Sequence, residues 1–94
     1  MIILITTVDD LDKAKKMALE LVRLKYAACV SIFPIESTYF WDGKIHESER
    51  EYMLLIKTLE NKVDKTIEWL RENHPYSVPE IVTINAQAHG KYTE

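Results

Sequence analysis

The side chains that commonly bind soft metal ions are few and widely spaced in this sequence. Cys29 is the single cysteine, and the three histidines are His46, His74 and His89. None of the histidines lies three or four residues from another histidine or from Cys29, so no recognisable zinc motif is present. Cys29 lies in "AACV", where a thiol is either an inert side chain packed in a strand or a soft-metal ligand. One thiol makes no metal site within a chain, whereas three converging copies around a symmetry axis would.

Acidic residues alternate along the segment that follows His46. On a regular strand, Glu47, Glu49 and Glu51 would all point to one face. We expect basic groups of the same chain or of a neighbouring subunit to meet these carboxylates. His46 beside them is either a weak ligand for a divalent cation or a solvated side chain.

Composition and charge exclude several classes of protein. The formal net charge is -3 and the sequence pI is about 5.6, which argues against a general nucleic-acid or anionic-membrane binder. With two glycines, no Ser-His-Asp spacing and no marked pair of catalytic carboxylates, the sequence predicts a protein that is not an enzyme. The single cysteine and an apolar start without a basic leader predict a cytoplasmic protein with no membrane partner.

Two strands and two helices, besides a long hairpin, must position these residues. Residues 2–8 are apolar and β-branched, as expected of a strand buried on both faces. Helical spacing of apolar residues follows, after Asp9 or Asp10 as the cap, and ends near Lys25. A second helix follows Thr58 as a plausible cap and ends near Asn73. The last strand covers residues 81–84.

A long β-hairpin arm separates the two helices. Asp42-Gly43 is a strong signal for a two-residue turn, with strand formers at 37–41 and 52–56 on either side. Pro34 cannot donate to a ladder, so it marks a bulge or an edge strand. The resulting order predicts one α+β domain over residues 1–94, a ferredoxin-like β-α-β-β-α-β sandwich.

The tip of the arm is strongly aromatic. Tyr39, Phe40 and Trp41 precede the turn, and alternation places Tyr39 and Trp41 on one face and Phe40 on the other. A two-stranded arm cannot bury both of its faces, so a neighbouring subunit must cover at least one. The sequence therefore predicts that these three residues form an interface in a homo-oligomer.

The segment "HPYSVPEI", residues 74–81, contains two of the three prolines. Pro75 ends the second helix and Pro79 fixes the entry to the last strand, while Tyr76 is able to pack over the helix end. His74 at the helix end is able to bond the last carbonyl groups. Structural needs thus account for most of this segment, and a role in a site is the alternative.

Together, "AACVSI", "YFWDGKI", "LLIKT" and "HPYSVPEI" occur in an order and at separations that resemble the CutA divalent-cation-tolerance family. The resemblance runs from Thr6 to about Asn85. It implies a homotrimer of ferredoxin-like subunits whose arms pair with their neighbours, and a role in tolerance to copper and other divalent metals. It implies no catalytic activity and no obligatory cofactor, with Cys29 as the residue suggested to bind copper. Family members usually continue into a final helix, which we expect residues 1–94 to lack.

The resemblance also draws attention to two charges in otherwise apolar strands. Glu80 opens the last strand and Lys57 ends "LLIKT", so both are candidates to close a cleft between subunits together with His74 and Tyr76. We therefore predict a non-enzymatic trimer that binds divalent cations weakly. The alternatives are a signalling trimer that binds a small molecule in intersubunit clefts, and an enzyme that uses Glu80, Lys57 and Tyr76.

Overall fold

The computed structural model describes residues 1–93 and contains a four-stranded antiparallel sheet with two helices. The strand order is β2-β3-β1-β4, as a ferredoxin-like fold requires. The α+β class, the order of elements and the long arm predicted from the sequence are confirmed. The elements are β1 (Ile2–Val8), α1 (Leu11–Arg23), β2 (Cys29–Trp41), β3 (Lys44–Thr58), α2 (Val63–Asn73) and β4 (Val82–Asn85), with 3-10 turns at Glu60–Lys62 and Gly90–Thr93.

The hydrophobic core lies between the helices and one face of the sheet. Leu4 and Val8 of β1 are fully buried there with Leu54 and Ile56 of β3. On the opposite face of β1, Ile3 and Ile5 are only partly buried, whereas Thr7 is buried. The prediction that β1 is buried on both faces is therefore wrong for a single protomer, because both helices pack on the same side of the sheet. We call the uncovered side the open face.

The caps predicted for the two helices have different outcomes. Asp10 caps α1 by accepting a hydrogen bond from the backbone N–H of Lys13 at 3.0 Å, and a residue with positive φ, Lys25, follows the helix. The predicted Thr58 cap of α2 is wrong. Thr58 is buried, and its hydroxyl donates to the carbonyl of Tyr26 instead. A 3-10 turn intervenes, and α2 begins at Val63.

The arm is formed by β2 and β3 around the predicted turn. Asp42 and Gly43 have φ values of 54° and 76°, as a two-residue hairpin of this kind requires. Trp41 pairs with Lys44 across the turn. Pro34 was predicted to mark a bulge or an edge strand. It lies in β2, which is an edge strand of the sheet.

A bulge in β3 changes the faces that the acidic residues occupy. Tyr39 pairs with His46 while Ser37 pairs with Glu49, so three steps on β3 match two on β2. Ser48, at φ 50°, is the extra residue, and its N–H donates to the hydroxyl of Thr38 at 3.2 Å. The prediction that Glu47, Glu49 and Glu51 share one face is therefore wrong, because the bulge shifts Glu47 out of phase. His46 shares the face of Glu49 instead.

Candidate functional site

A cleft of ≈ 610 Å³ lies on the open face where the arm joins the body of the sheet. Its walls come from β2 and β3 of the arm, from the end of β1, and from the connection between α2 and β4. It is lined by Thr7, Ile35, Ser37, Thr38, Tyr39, Trp41, Glu51, Met53, Tyr76, Ser77, Val78 and Glu80. The cleft thus combines two carboxylates and three aromatic rings with several hydroxyl groups.

His74 fixes the connection that forms one wall of the cleft. It ends α2, where its backbone N–H donates to the carbonyl of Leu70 at 2.9 Å. Its ring Nδ1 accepts the backbone N–H of Tyr76 at 3.0 Å, so the ring proton is on Nε2, which donates to the carbonyl of Thr7 at 3.0 Å. The ring therefore connects β1 to the segment after α2, rather than bonding its own helix end.

Burial keeps the His74 ring neutral. Desolvation lowers the pKa of His74 from its ordinary value of 6.5, although the hydrogen bond to Thr7 and the charges of Asp9 and Glu51 oppose this. A second proton on Nδ1 would remove the acceptor for Tyr76. Both ring nitrogens are thus committed to backbone groups, which gives His74 a positioning role.

Tyr76 joins the segment after α2 to β3 at the cleft. Its hydroxyl donates to Oε2 of Glu51 on β3 at 2.9 Å, and its ring lies 4.9 Å from the ring of His74. Burial, followed by the bond to Glu51 and its charge, raises the pKa of Tyr76 well above its ordinary value. The phenol therefore remains a hydrogen-bond donor. Glu51 is the member of this network that sequence reasoning had placed only in an acidic run.

Of the four residues predicted to form a cleft, the structure brings three to this region. Tyr76 and Glu80 line it, and His74 supports its wall. Lys57 lies outside the cleft, because it pairs with Ile3 on β1. Thr7, which lines the cleft, is four residues further along the same strand, so Lys57 lies about 13 Å from the cleft along β1. Its Nζ atom is 5.3 Å from the ring centroid of Tyr92. Within one protomer Lys57 and Glu80 do not meet, so their pairing across a subunit boundary stays a prediction.

The two predicted metal ligands are far apart. Cys29 and Tyr39 are ten residues apart on β2, and Tyr39 pairs with His46, so Cys29 and His46 are separated by about 33 Å. Nδ1 of His46 is 3.7 Å from Oε1 of Glu49, and its ring stacks on Tyr39 at 5.0 Å. Cys29 is partly exposed at the other end of the sheet. No group of three or more His, Cys, Asp or Glu side chains able to hold a metal ion occurs within residues 1–93.

The aromatic residues of the arm tip are exposed within one protomer. Exposure is 42% for Tyr39, 71% for Phe40 and 52% for Trp41. The strand register confirms that Tyr39 and Trp41 share a face, and it is the face of the cleft. Sequence reasoning assigned these two residues to an interface but did not connect them with Tyr76. The turn alone predicts a register that places Glu51 on the opposite face, and only the bulge brings Glu51 to the face of Tyr39 and Trp41, so the sequence carried no signal for this arrangement.

None of the helices within residues 1–93 has the length and apolar character needed to cross a bilayer.

The sequence matches a known family over nearly its whole length. Residues 2–94 match the CutA1 divalent ion tolerance protein family. The rice protein (Oryza sativa subsp. japonica) named "Protein CutA 1, chloroplastic" is 39% identical over 84 residues, which are 88% of this chain and 47% of that protein. The chain thus spans about half the length of this relative.

Solved structures agree with the fold. CutA1 from Pyrococcus horikoshii is 33% identical, with a TM-score of 0.94 over 99% of this chain and 91% of that one. The PII-like protein CutA from Nostoc sp. PCC 7120 is 30% identical, with a TM-score of 0.85 over 92% of this chain and 81% of that one. Sequence and structure therefore agree that this chain belongs to the CutA1 divalent ion tolerance protein family.

Proposed function

We propose that this protein acts in divalent-cation tolerance as a non-enzymatic homotrimer that binds copper and similar ions weakly. The observation that carries the proposal is the match of residues 2–94 to the CutA1 divalent ion tolerance protein family. Its fold and its arm are those of the solved CutA1 structure from Pyrococcus horikoshii, which supports a common mode of action.

Weak metal binding is favoured because the candidate ligands are separated. A first-row metal ion binds tightly when several ligands converge on it. Cys29 offers one thiol, and His46 offers an imidazole 3.7 Å from the Glu49 carboxylate. Each group alone makes an incomplete site, and a neighbouring subunit is the natural source of further ligands.

The proposed assembly is supported by the surface that a single protomer leaves uncovered. The open face presents apolar residues that include Phe33, at 45% exposure, and the partly buried Ile3 and Ile5. The arm adds Phe40 and Trp41 at its tip. A domain of this size buries only about 60–70% of its unfolded surface by itself, so contacts between subunits would add to its stability.

The chemistry of the cleft supports a role without catalysis. General base catalysis needs a group that is free to take a proton, and His74 uses both ring nitrogens for backbone groups. Tyr76 has a raised pKa and donates to Glu51. These side chains hold the cleft together, which suits binding better than proton transfer.

A metal titration of the purified protein tests this proposal. We expect weak binding of Cu²⁺ by calorimetry, reduced by Cys29→Ser and by His46→Gln, and unchanged by the control His89→Gln, which alters an exposed histidine outside the arm. A tight stoichiometric site that survives replacement of Cys29 and all three histidines would contradict the assigned ligands.

A second candidate function is ligand binding in the cleft, as in a signalling trimer. The specific observation in its favour is a ≈ 610 Å³ cleft whose wall is held by the Tyr76 hydrogen bond to Glu51. Signalling trimers of similar fold that bind small molecules between subunits provide an analogy of fold only. A thermal-shift screen against metabolites, nucleotides and metals tests it, because a bound ligand raises the melting temperature.

We place the protein in the cytoplasm, since one cysteine and no disulfide partner suit a reducing compartment. The rice relative is named as chloroplastic, so location differs within the family or is set by sequence outside the matched region. Cell fractionation with an antibody to the protein tests the assignment, and a signal confined to an extracytoplasmic fraction would overturn it.

A further inference from the structure

The residues that line the cleft have a marked charge bias. Glu51 and Glu80 contribute two carboxylates, and the twelve lining residues include no lysine, arginine or histidine. The ion pairs found within residues 1–93 join other side chains and leave Glu80 unengaged. The cleft therefore presents negative charge without an internal counter-charge, which favours a cationic occupant and disfavours an anionic one.

The aromatic residues of the cleft strengthen this bias. Tyr39, Trp41 and Tyr76 line the same cavity, and the face of an aromatic ring attracts an ammonium or guanidinium group. Ile35 and Met53 add apolar surface, which suits a short hydrocarbon stem. A cation with an organic body would contact all of these side chains at once.

A hard metal ion fits these walls less well. Ca²⁺ takes about six to eight oxygen ligands, and Mg²⁺ demands near-ideal octahedral geometry. The cleft offers two carboxylates, and Glu51 already accepts the Tyr76 hydroxyl through one of its oxygens. An ionised carboxylate has lone pairs left after one such bond, so Glu51 still has room for an N–H donor.

We propose that the cleft between the arm and residues 76–80 binds a small organic cation, an ammonium or guanidinium group on a short apolar stem. The inference rests on the second candidate function, ligand binding in the cleft, and names the chemical class of the ligand. Glu80 and Glu51 meet the charged head, while Tyr39 and Tyr76 enclose it and Trp41 at the rim remains available to a neighbouring subunit.

Calorimetry on the assembled protein tests this with two probes of similar length and opposite charge. Agmatine carries a guanidinium and an ammonium group, and glutarate carries two carboxylates. We expect heat of binding with agmatine and none with glutarate. Raising the salt from about 0.01 M to about 0.15 M shortens the Debye length from about 30 Å to about 8 Å, so agmatine binding should weaken.

The decisive variant is Glu80→Gln, which keeps the shape of the side chain and removes its charge. We expect it to weaken agmatine binding by about fivefold to tenfold, the effect of one charge contact near a wet surface. Glu72→Gln, an exposed carboxylate on α2 outside the cleft, is the matched control and should leave binding unchanged. Circular dichroism of both variants verifies that the fold is intact.

Three results would overturn the proposal. These are no heat with millimolar agmatine, equal binding of glutarate and agmatine, or equal effects of Glu80→Gln and Glu72→Gln. The first is also the result expected if a neighbouring arm fills the cleft or if Lys57 of a neighbouring subunit pairs with Glu80. If the thermal-shift screen then finds a neutral or anionic ligand sensitive to Tyr76→Phe, ligand binding in the cleft stands and only the cationic class fails. The metal titration is independent, because Cys29 and His46 lie outside the cleft lining.

Discussion

Trp41 occupies the last position of β2 before the turn, and 52% of its surface is exposed within one protomer. It shares the open face with Tyr39, so its exposed half is available to a neighbouring subunit. We expect Trp41→Ala to weaken association of the proposed trimer much more than it destabilises the fold of one chain. The remaining half of the side chain packs within the protomer and contributes to its own stability.

The size of the effect follows from the exposed area. A tryptophan buries roughly 200 Å², so about half, or roughly 100 Å², remains for a partner. At about 25 cal/mol per Å², this corresponds to about 2.5 kcal/mol per subunit. Three copies in one assembly give about 7.5 kcal/mol, which is roughly five orders of magnitude in the dissociation constant. A contact of that size is easily measured by dilution.

Sedimentation velocity across a dilution series provides the assay. Leu19→Ala is the control, because Leu19 has a similar exposure of 56% but lies on α1, away from the arm. We expect the control to sediment like the unaltered protein and Trp41→Ala to dissociate at much higher concentration. A Trp41→Ala protein that remains trimeric down to the lowest measurable concentration, but melts at a lower temperature, would refute the interface role.

Two further predictions concern the network behind the cleft. Because burial lowers the pKa of His74, the unfolded chain binds the proton more readily, so the free energy of unfolding should fall as the pH drops below about 6.5 and stop changing below the folded pKa. In urea titrations at several pH values, His74→Gln should remove this pH dependence of the free energy of unfolding, whereas His89→Gln should retain it. Equal pH profiles for the two variants would contradict the reasoning. Tyr76→Phe removes the bond to Glu51 and should cost about 1 kcal/mol in the same assay, since the bond is only partly buried. Tyr92→Phe, at an exposed residue, is its control, and equal losses in the two variants would argue against a stabilising role for the Tyr76 bond.

Local sequence signals predicted most of the fold because they depend on neighbours in the chain. The Asp42-Gly43 turn needs two residues that tolerate positive φ, and few other pairs do so as readily. The cap of α1 at Asp10 and the end of α2 before Pro75 are also short-range effects. The prediction of a helix cap failed where a residue distant in sequence offered a competing hydrogen bond. Thr58 has the chemistry of a helix cap, but the carbonyl of Tyr26, distant in sequence, takes its hydroxyl proton.

The cleft, in contrast, depended on tertiary structure. The bulge at Ser48 decides that His46 rather than Glu47 shares a face with Glu49, and no local pattern reveals one extra residue in a strand. The approach of Tyr76 to Glu51 joins residues 25 positions apart through the antiparallel register and the turn that follows α2. Sequence alone therefore determined the elements and the aromatic arm, because these follow from local periodicity and turn chemistry. Only the packed sheet decided which charged and aromatic side chains meet, because their meeting depends on register and on the distances that it imposes.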